Sequence, residues 1–276
     1  MAEDAETAAP GPTGSAPSSA TAPLSRYLLR LCIPAVLILA WILATTTFQL
    51  FPKALLPAPW DVVRSAVRLI ETGELLEHVL ASLERILYAN LLALGLGVPL
   101  GLAMGMSRTF ENLLGGMLSI FRPIPPLAWV PLAILWFGIG TLSIVFITFL
   151  AAFFAVLLNT IAGTRAVDQR LVRAAASLGA GRRRIVLNVV LPSVLPYIFT
   201  GARIAVGVSW MSIVAAELIA ASNGLGYMIS FYREVLRTDV VIVGMLTIGV
   251  IGLMMDLGSR WLENRLLPWR QHGGVA

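Results

Sequence analysis

Residues 142–163, LSIVFITFLAAFFAVLLNTIAG, contain no charged side chain. A run of about eighteen apolar residues is long enough to cross the hydrocarbon core of a bilayer as a helix. This run is one of several. The 276-residue chain is 58% hydrophobic and 13% charged, with a mean hydropathy of +0.84. A soluble domain carries about 25% charged residues. The chain is therefore an integral membrane protein of the all-α class.

Six spans are expected, over residues 30–51, 79–106, 112–138, 142–163, 193–220 and 239–258. The second contains the glycine-rich run LGLGVPLGLAMG, and the third contains FRPIPPLAWVP. Between the first two spans, residues 59–73 place Val63, Val67 and Ile70 on one helical face and Arg64 and Arg68 on another. That pattern predicts an amphipathic helix lying in the membrane interface. Residues 1–25 are rich in Ala, Pro, Ser, Thr and Gly, cannot bury a core, and are expected to be a disordered cytoplasmic tail. They lack the basic start of a signal peptide, so the first apolar run reads as a retained helix. Residues 26–265 then form the membrane domain and 266–276 a short C-terminal tail.

The net charge of +5 is almost entirely arginine, since Lys53 is the only lysine. In a membrane protein such an excess reports topology rather than nucleic-acid binding. With the N-terminus in the cytoplasm, the inside loops hold Arg26, Arg30, Arg108, Arg165, Arg170, Arg173, Arg182, Arg183, Arg184, Arg260, Arg265 and Arg270. The outside segments hold Lys53, Arg64, Arg68, Arg233 and Arg237. Both termini and the loop 164–192 are therefore expected on the cytoplasmic side. Cys32 is the single cysteine, and His78 and His272 lie far apart. No disulfide, thiolate cluster, metal site or catalytic constellation is expected.

The loop 164–192 is the least apolar part of the membrane domain, and it reads as helix, break, helix. Leu171, Ala175 and Leu178 stand at i, i+4 and i+7, a narrow stripe of mostly small side chains on a helix kept thin by Ala174, Ala175 and Ala176. Gly179 falls where a helix C-terminus favours a residue tolerant of positive φ. Ala180 and Gly181 follow before Arg182–Arg184 open the next helix, and Pro192 and Pro196 lie near the start of the fifth span. Such a segment is a knob hinged at both ends and attached directly to a transmembrane helix. A basic orienting loop that is helical by chance would look similar.

LVRAAASLGAGRRRIVLNVVLPSVLP resembles the cytoplasmic signature loop of ABC importer permeases, in which an EAA triplet precedes a glycine and, some ten residues on, an I-x-LP motif. Ala174, Ala175, Gly179, Leu191 and Pro192 occupy matching positions, whereas Arg173 stands where that family has glutamate. FRPIPPLAWVPLAILWFGIG, LLNTIAGTRAVDQRLV and VAAELIAASNGLGYMI are similar to the branch importing nitrate, sulfonates, taurine, bicarbonate and related compounds. The resemblance covers about residues 50–260. It implies the type I importer permease fold in a bacterial cytoplasmic (inner) membrane, with two copies of the chain around one pathway. It further implies two copies of a separate ATPase subunit holding ATP and Mg, docked on a coupling helix that includes Arg173, Ala174, Ala175, Leu178, Gly179 and Ala180. A substrate-binding protein would dock outside. A phosphate-cradling G-x-x-x-x-G-K-[ST] loop needs a lysine, and Lys53 lies in FPKAL, so this chain is not its own ATPase.

Charged or irregular residues inside apolar spans point to the pathway. The candidates are Arg122, Pro126, Trp129, Trp210 and Glu217. Arg122 precedes Pro123, Pro125 and Pro126, and the backbone groups these free are tolerated only against protein or a watery cavity. The indoles of Trp129, Trp136 and Trp210 either line a cavity or pack. Glu217 either gates the outer pathway or is hydrogen-bonded within the bundle, and one straight helix cannot bring Arg203 to it. Asp256 and Arg260 at i, i+4 are expected to support the last helix. A self-contained secondary transporter or channel is the alternative, which calls for inverted repeats and intramembrane carboxylates.

Overall fold

The computed structural model describes residues 23–48 and 52–266, and all regular structure in them is helical. Residues 23–48 belong to a unit of their own, in which α1 (Pro23–Ile42) runs into a π-helical turn, Leu43–Thr47. The hydroxyls of Thr45 and Thr46 donate to the carbonyls of Trp41 and Ile42 at 2.8 and 2.6 Å, which satisfies them inside an apolar segment.

The second unit contains α2 (Pro59–Glu71), α3 (Glu74–Met106), α4 (Arg108–Phe121), α5 (Val130–Phe137) and α6 (Thr141–Arg165). These are followed by α7 (Gln169–Ser177), α8 (Arg182–Ile185), α9 (Leu191–Ala220), α10 (Leu225–Glu234) and α11 (Thr238–Leu266). Four helices among the described residues are long and apolar enough to cross a membrane: α3, α6, the continuous run Arg182–Ala220, and α11. A fifth crossing exists if α4 and Pro126–Phe137 count as one span, bent by 85°. Six spans were expected. The first of them lies partly outside the described residues, and its apolar portion among the described ones, Cys32–Thr47, falls below the spanning length.

Two expected spans also change form. The third is not one helix, because Pro125 and Pro126 supply no N–H and force the chain out of α geometry. A 3-10 turn, Pro126–Trp129, joins its halves. The fifth is longer than expected, 39 residues from Arg182 to Ala220. A π-helical turn at Val186–Val190 ends two residues before Pro192 and widens the helix where the proline ring would otherwise clash.

Helices α3, α6 and α9 form the centre. Gly97, Gly101 and Gly105 repeat every four residues along α3 and meet Val156, Thr160 and Thr164 of α6, repeated at the same interval. Lipid supplies no hydrophobic drive for helices to associate, so close packing at small residues has to do it. Thr160 and Thr164 donate to carbonyls one turn back on their own helix, both at 2.8 Å, so neither brings an unsatisfied hydroxyl to the seam. On the other side of α6, Gly201 of α9 lies against Asn159, and Gly163 lies against Tyr197.

Helix α2 buries Val62, Ser65 and Leu69, with α11 as its main neighbour. Val63, Val67 and Ile70, the face expected to meet lipid, are exposed together with Trp60. Ser65 donates to Asp239, which also pairs with Arg237 at 2.7 Å, so a polar clip ties α2 to the start of α11.

Candidate functional site

The segment between α6 and α9 folds as a hinged knob. Asp168 caps α7, accepting from the backbone N–H of Arg170 at 2.8 Å. At the other end, the N–H of Gly179 donates to Ala176 O at 3.0 Å and that of Ala180 to Ala175 O at 3.1 Å. This pair of bonds is a Schellman ending, and it places Gly179 at φ +80°, as expected. Gly181 then turns to φ −68°, ψ 157° and opens the next helix without a further break.

The base of the knob is anchored and its tip is free. Val167, Val190 and Val194 are buried, with Leu102, Val172, Ile185 and Ile198 packed around them. No residue of α7 is buried. Leu178 is 88% exposed and Leu171 53%, while Ala175 between them is half-buried. Arg173 donates from Nε to Gln169 O at 3.3 Å and lies along its own helix.

The five candidate pathway residues separate into three environments. Arg122, Pro126 and Trp129 line an apolar cavity of about 790 Å³, walled by Leu96 and Leu100 of α3, Phe146, Phe149 and Phe153 of α6, and Val208 and Met211 of α9. Trp136 lies on the same wall. The bend between α4 and α5 thus places Pro125 and Pro126 on the wall of this cavity, where backbone lacking hydrogen bonds is tolerated. Arg122 is exposed and has no acidic partner among the described residues.

Trp210 does not reach that cavity. It is 6% exposed, its indole N–H donates to Met255 Sδ at 3.2 Å, and it faces a smaller space with Arg203 and Asp256 between α9 and α11. Arg203 lies 3.7 Å from Glu263.

Glu217 occupies the third environment and does not line the large cavity. It is 1% exposed, 2.7 Å from Arg85 and 2.9 Å from Ser82 Oγ, both on α3. The residues after α9 wrap around this pair. Gly226 N–H donates to Glu217 at 2.9 Å, Leu225 N–H to Ser82 Oγ at 2.9 Å, and Gly224 N–H to His78 Nδ1 at 3.1 Å. Arg85 also donates to the backbone carbonyl of Asn223 at 2.9 Å and to its side-chain oxygen. Tyr232, at the far end of α10, donates to Glu74 at 2.8 Å. Burial and that bond hold the Tyr232 hydroxyl above the ordinary tyrosine pKa. Sequence reasoning passed over Arg85, although an arginine in LERILYAN, one turn after Ser82, is the same signal that singled out Glu217.

Comparison with known proteins identifies the family and the fold. Residues 97–268 match the family model described as binding-protein-dependent transport system inner membrane component. The taurine transport system permease protein of Escherichia coli is 42% identical over 259 residues, covering 92% of this chain and 93% of that protein. The bicarbonate transport system permease protein of Synechococcus elongatus is 34% identical over 192 residues, covering 69% of each chain. Among solved structures, the inward-facing MetNI methionine ABC transporter superposes with a TM-score of 0.60 at 18% identity, covering 72% of this chain and 96% of that one. That likeness shows a shared permease fold. The chain belongs to the binding-protein-dependent transport system inner membrane components, the permease subunits of ABC importers.

Proposed function

We propose that two copies of this chain form the pathway of an ATP-driven importer for a small anionic solute, such as taurine, another sulfonate or nitrate. The observation that carries the reading is the knob: α7 is capped at both ends, anchored at its base and exposed along its length, and it is joined through Gly179 and Gly181 to a membrane-crossing helix. Arg173, Ala174, Ala175, Leu178, Gly179 and Ala180 would be gripped by an ATPase subunit that binds ATP and Mg. Closure of two such subunits on ATP would move both knobs and shift the pathway from inward-open to outward-open, a population shift driven by differential binding.

In this reading the chain has six spans, a coupling loop at 164–192, and both termini in the cytoplasm. The tails expected at 1–25 and 266–276 lie almost wholly outside the described residues, and α2 lies in the interface with Val63, Val67 and Ile70 toward lipid. An extracytoplasmic binding protein delivers the solute. Arg122, Pro126 and Trp129 line its route, and the exposed cation in an otherwise apolar cavity suits an acidic solute. The taurine and bicarbonate relatives support that class.

The test is co-purification. Tagged chain extracted in mild detergent should bring down a P-loop ATPase, and ATP hydrolysis by that complex in proteoliposomes should rise with a loaded binding protein. Solute uptake by the chain alone on an ion gradient would overturn the reading in favour of a secondary transporter.

A further inference from the structure

The polar cluster around Glu217 lies at the opposite end of α9 from the knob, and it joins more elements than an ion pair requires. We propose that Arg85 and Glu217 are positioning residues of the transport cycle, making α10 a rigid extension of the helix that begins at the knob. This rests on the reading of α7 as the element gripped by an ATPase.

The run from Arg182 to Ala220 is one helix of 39 residues, about 58 Å at 1.5 Å per residue. It exceeds the ~30 Å hydrocarbon core, so one continuous run of helix connects the knob to the Glu217 cluster. Beyond Ala220 the chain leaves helical geometry for four residues, a natural place for α10 to swing. The cluster removes that freedom. His78, Ser82 and Glu217 take the three consecutive amides of Gly224, Leu225 and Gly226, and Arg85 takes both oxygens of Asn223.

Gly224 sits at φ +108°, and a Cβ there would come within 2.4 Å of Glu217 Oε1. Tyr232 and Glu74 fasten the far end of α10 to α3 as well. Arg85 is 3% exposed and Glu217 1%, and no fully buried side-chain polar atom among the described residues lacks a partner. For stability alone, apolar side chains of similar volume serve as well as a buried pair. What the charges add is geometry: they hold α3, α9 and α10 as one body.

The experiment uses the full complex, with ATPase subunits and binding protein, in proteoliposomes, with radiolabelled taurine as probe and Cys32→Ser as background. Failure of the unmodified complex to take up taurine would count against the proposed substrate, not against the rigid body. Glu74→Cys with Tyr232→Cys, bridged by a short bis-maleimide that adds one thiol to each of its two alkenes, should leave uptake within about twofold of the same variant before bridging. A larger loss on bridging means that α10 moves relative to α3, and overturns the proposal.

Arg85→Met with Glu217→Gln removes both charges together, so that neither is left buried alone. At normal membrane abundance, ATP hydrolysed per taurine imported should rise about tenfold. An unchanged ratio would show the pair to be merely structural. If that double variant fails to insert, the bridging result decides alone.

Discussion

A Cβ on Gly101 would lie 2.6 Å from Cβ of Thr160, inside the closest approach of two carbons. Thr160 is β-branched and bonded to its own helix, so it has little freedom to yield. Gly101→Ala should destabilise the permease by about 1–3 kcal/mol, the usual cost of overpacking a tight core. Gly95→Ala, six residues earlier on the same helix with nothing within 4 Å, should be neutral or stabilising by up to about 1 kcal/mol. Thermal unfolding in detergent distinguishes the two, and equal melting points would dismiss the seam as the basis of the fold.

Gly179→Val tests the hinge without touching its surroundings, since nothing lies within 4 Å of a side chain there. The cost is in the backbone, about 1–2 kcal/mol for a left-handed non-glycine residue. That penalty should release the Schellman ending and reorient the knob. Membrane abundance should remain normal while solute moved per ATP falls about tenfold. Gly181→Ala, at φ −68° with equal room, is the matched control and should behave as wild type. Normal coupling by Gly179→Val would remove the mechanical role assigned to α7.

Arg122→Gln keeps a polar side chain at the cavity bend but removes the charge. If the solute's acid group meets this guanidinium, KM for uptake should rise about 10–100-fold, the worth of a charge-assisted hydrogen bond. Arg122→Lys should lie between the two, because it keeps the charge and loses the planar fork. Unaltered uptake kinetics in both variants would assign Arg122 to shape alone.

Exposed ion pairs should matter little. Asp256–Arg260 at 2.8 Å and Glu111–Arg165 at 2.6 Å are both well exposed. Asp256→Ala should change stability by no more than about 0.5 kcal/mol. A larger effect would mean that the cavity between α9 and α11, which Asp256 also lines, depends on that carboxylate.

What the sequence made legible is local. Charge-free runs announce helices, Gly179 announces a left-handed turn, and Asp256 with Arg260 pairs within one helix turn, because each signal is written in adjacent residues. The proline cluster announced a disturbed span but not its 85° bend, which depends on the walls the two halves pack against. Pro192 suggested a helix start, yet the π-helical turn before it carries the helix through. The pairing of Glu217 lay furthest from view. Its partner is 132 residues away on α3, and only the assembled bundle brings them to 2.7 Å. Arg203, the arginine on its own helix, went instead to Glu263.

The glycine seam has a consequence for biogenesis. Helix α3 leaves the ribosome before α6 exists, and 51 residues separate Gly105 from Val156 (156 minus 105). At ordinary synthesis rates that interval lasts about 3–10 s. Throughout it the groove of Gly97, Gly101 and Gly105 lacks its partners Val156, Thr160 and Thr164 and is open to acyl chains. Sealing the seam therefore means evicting lipid, so the acyl composition of the host membrane enters the assembly rate of a protein whose finished seam contains none.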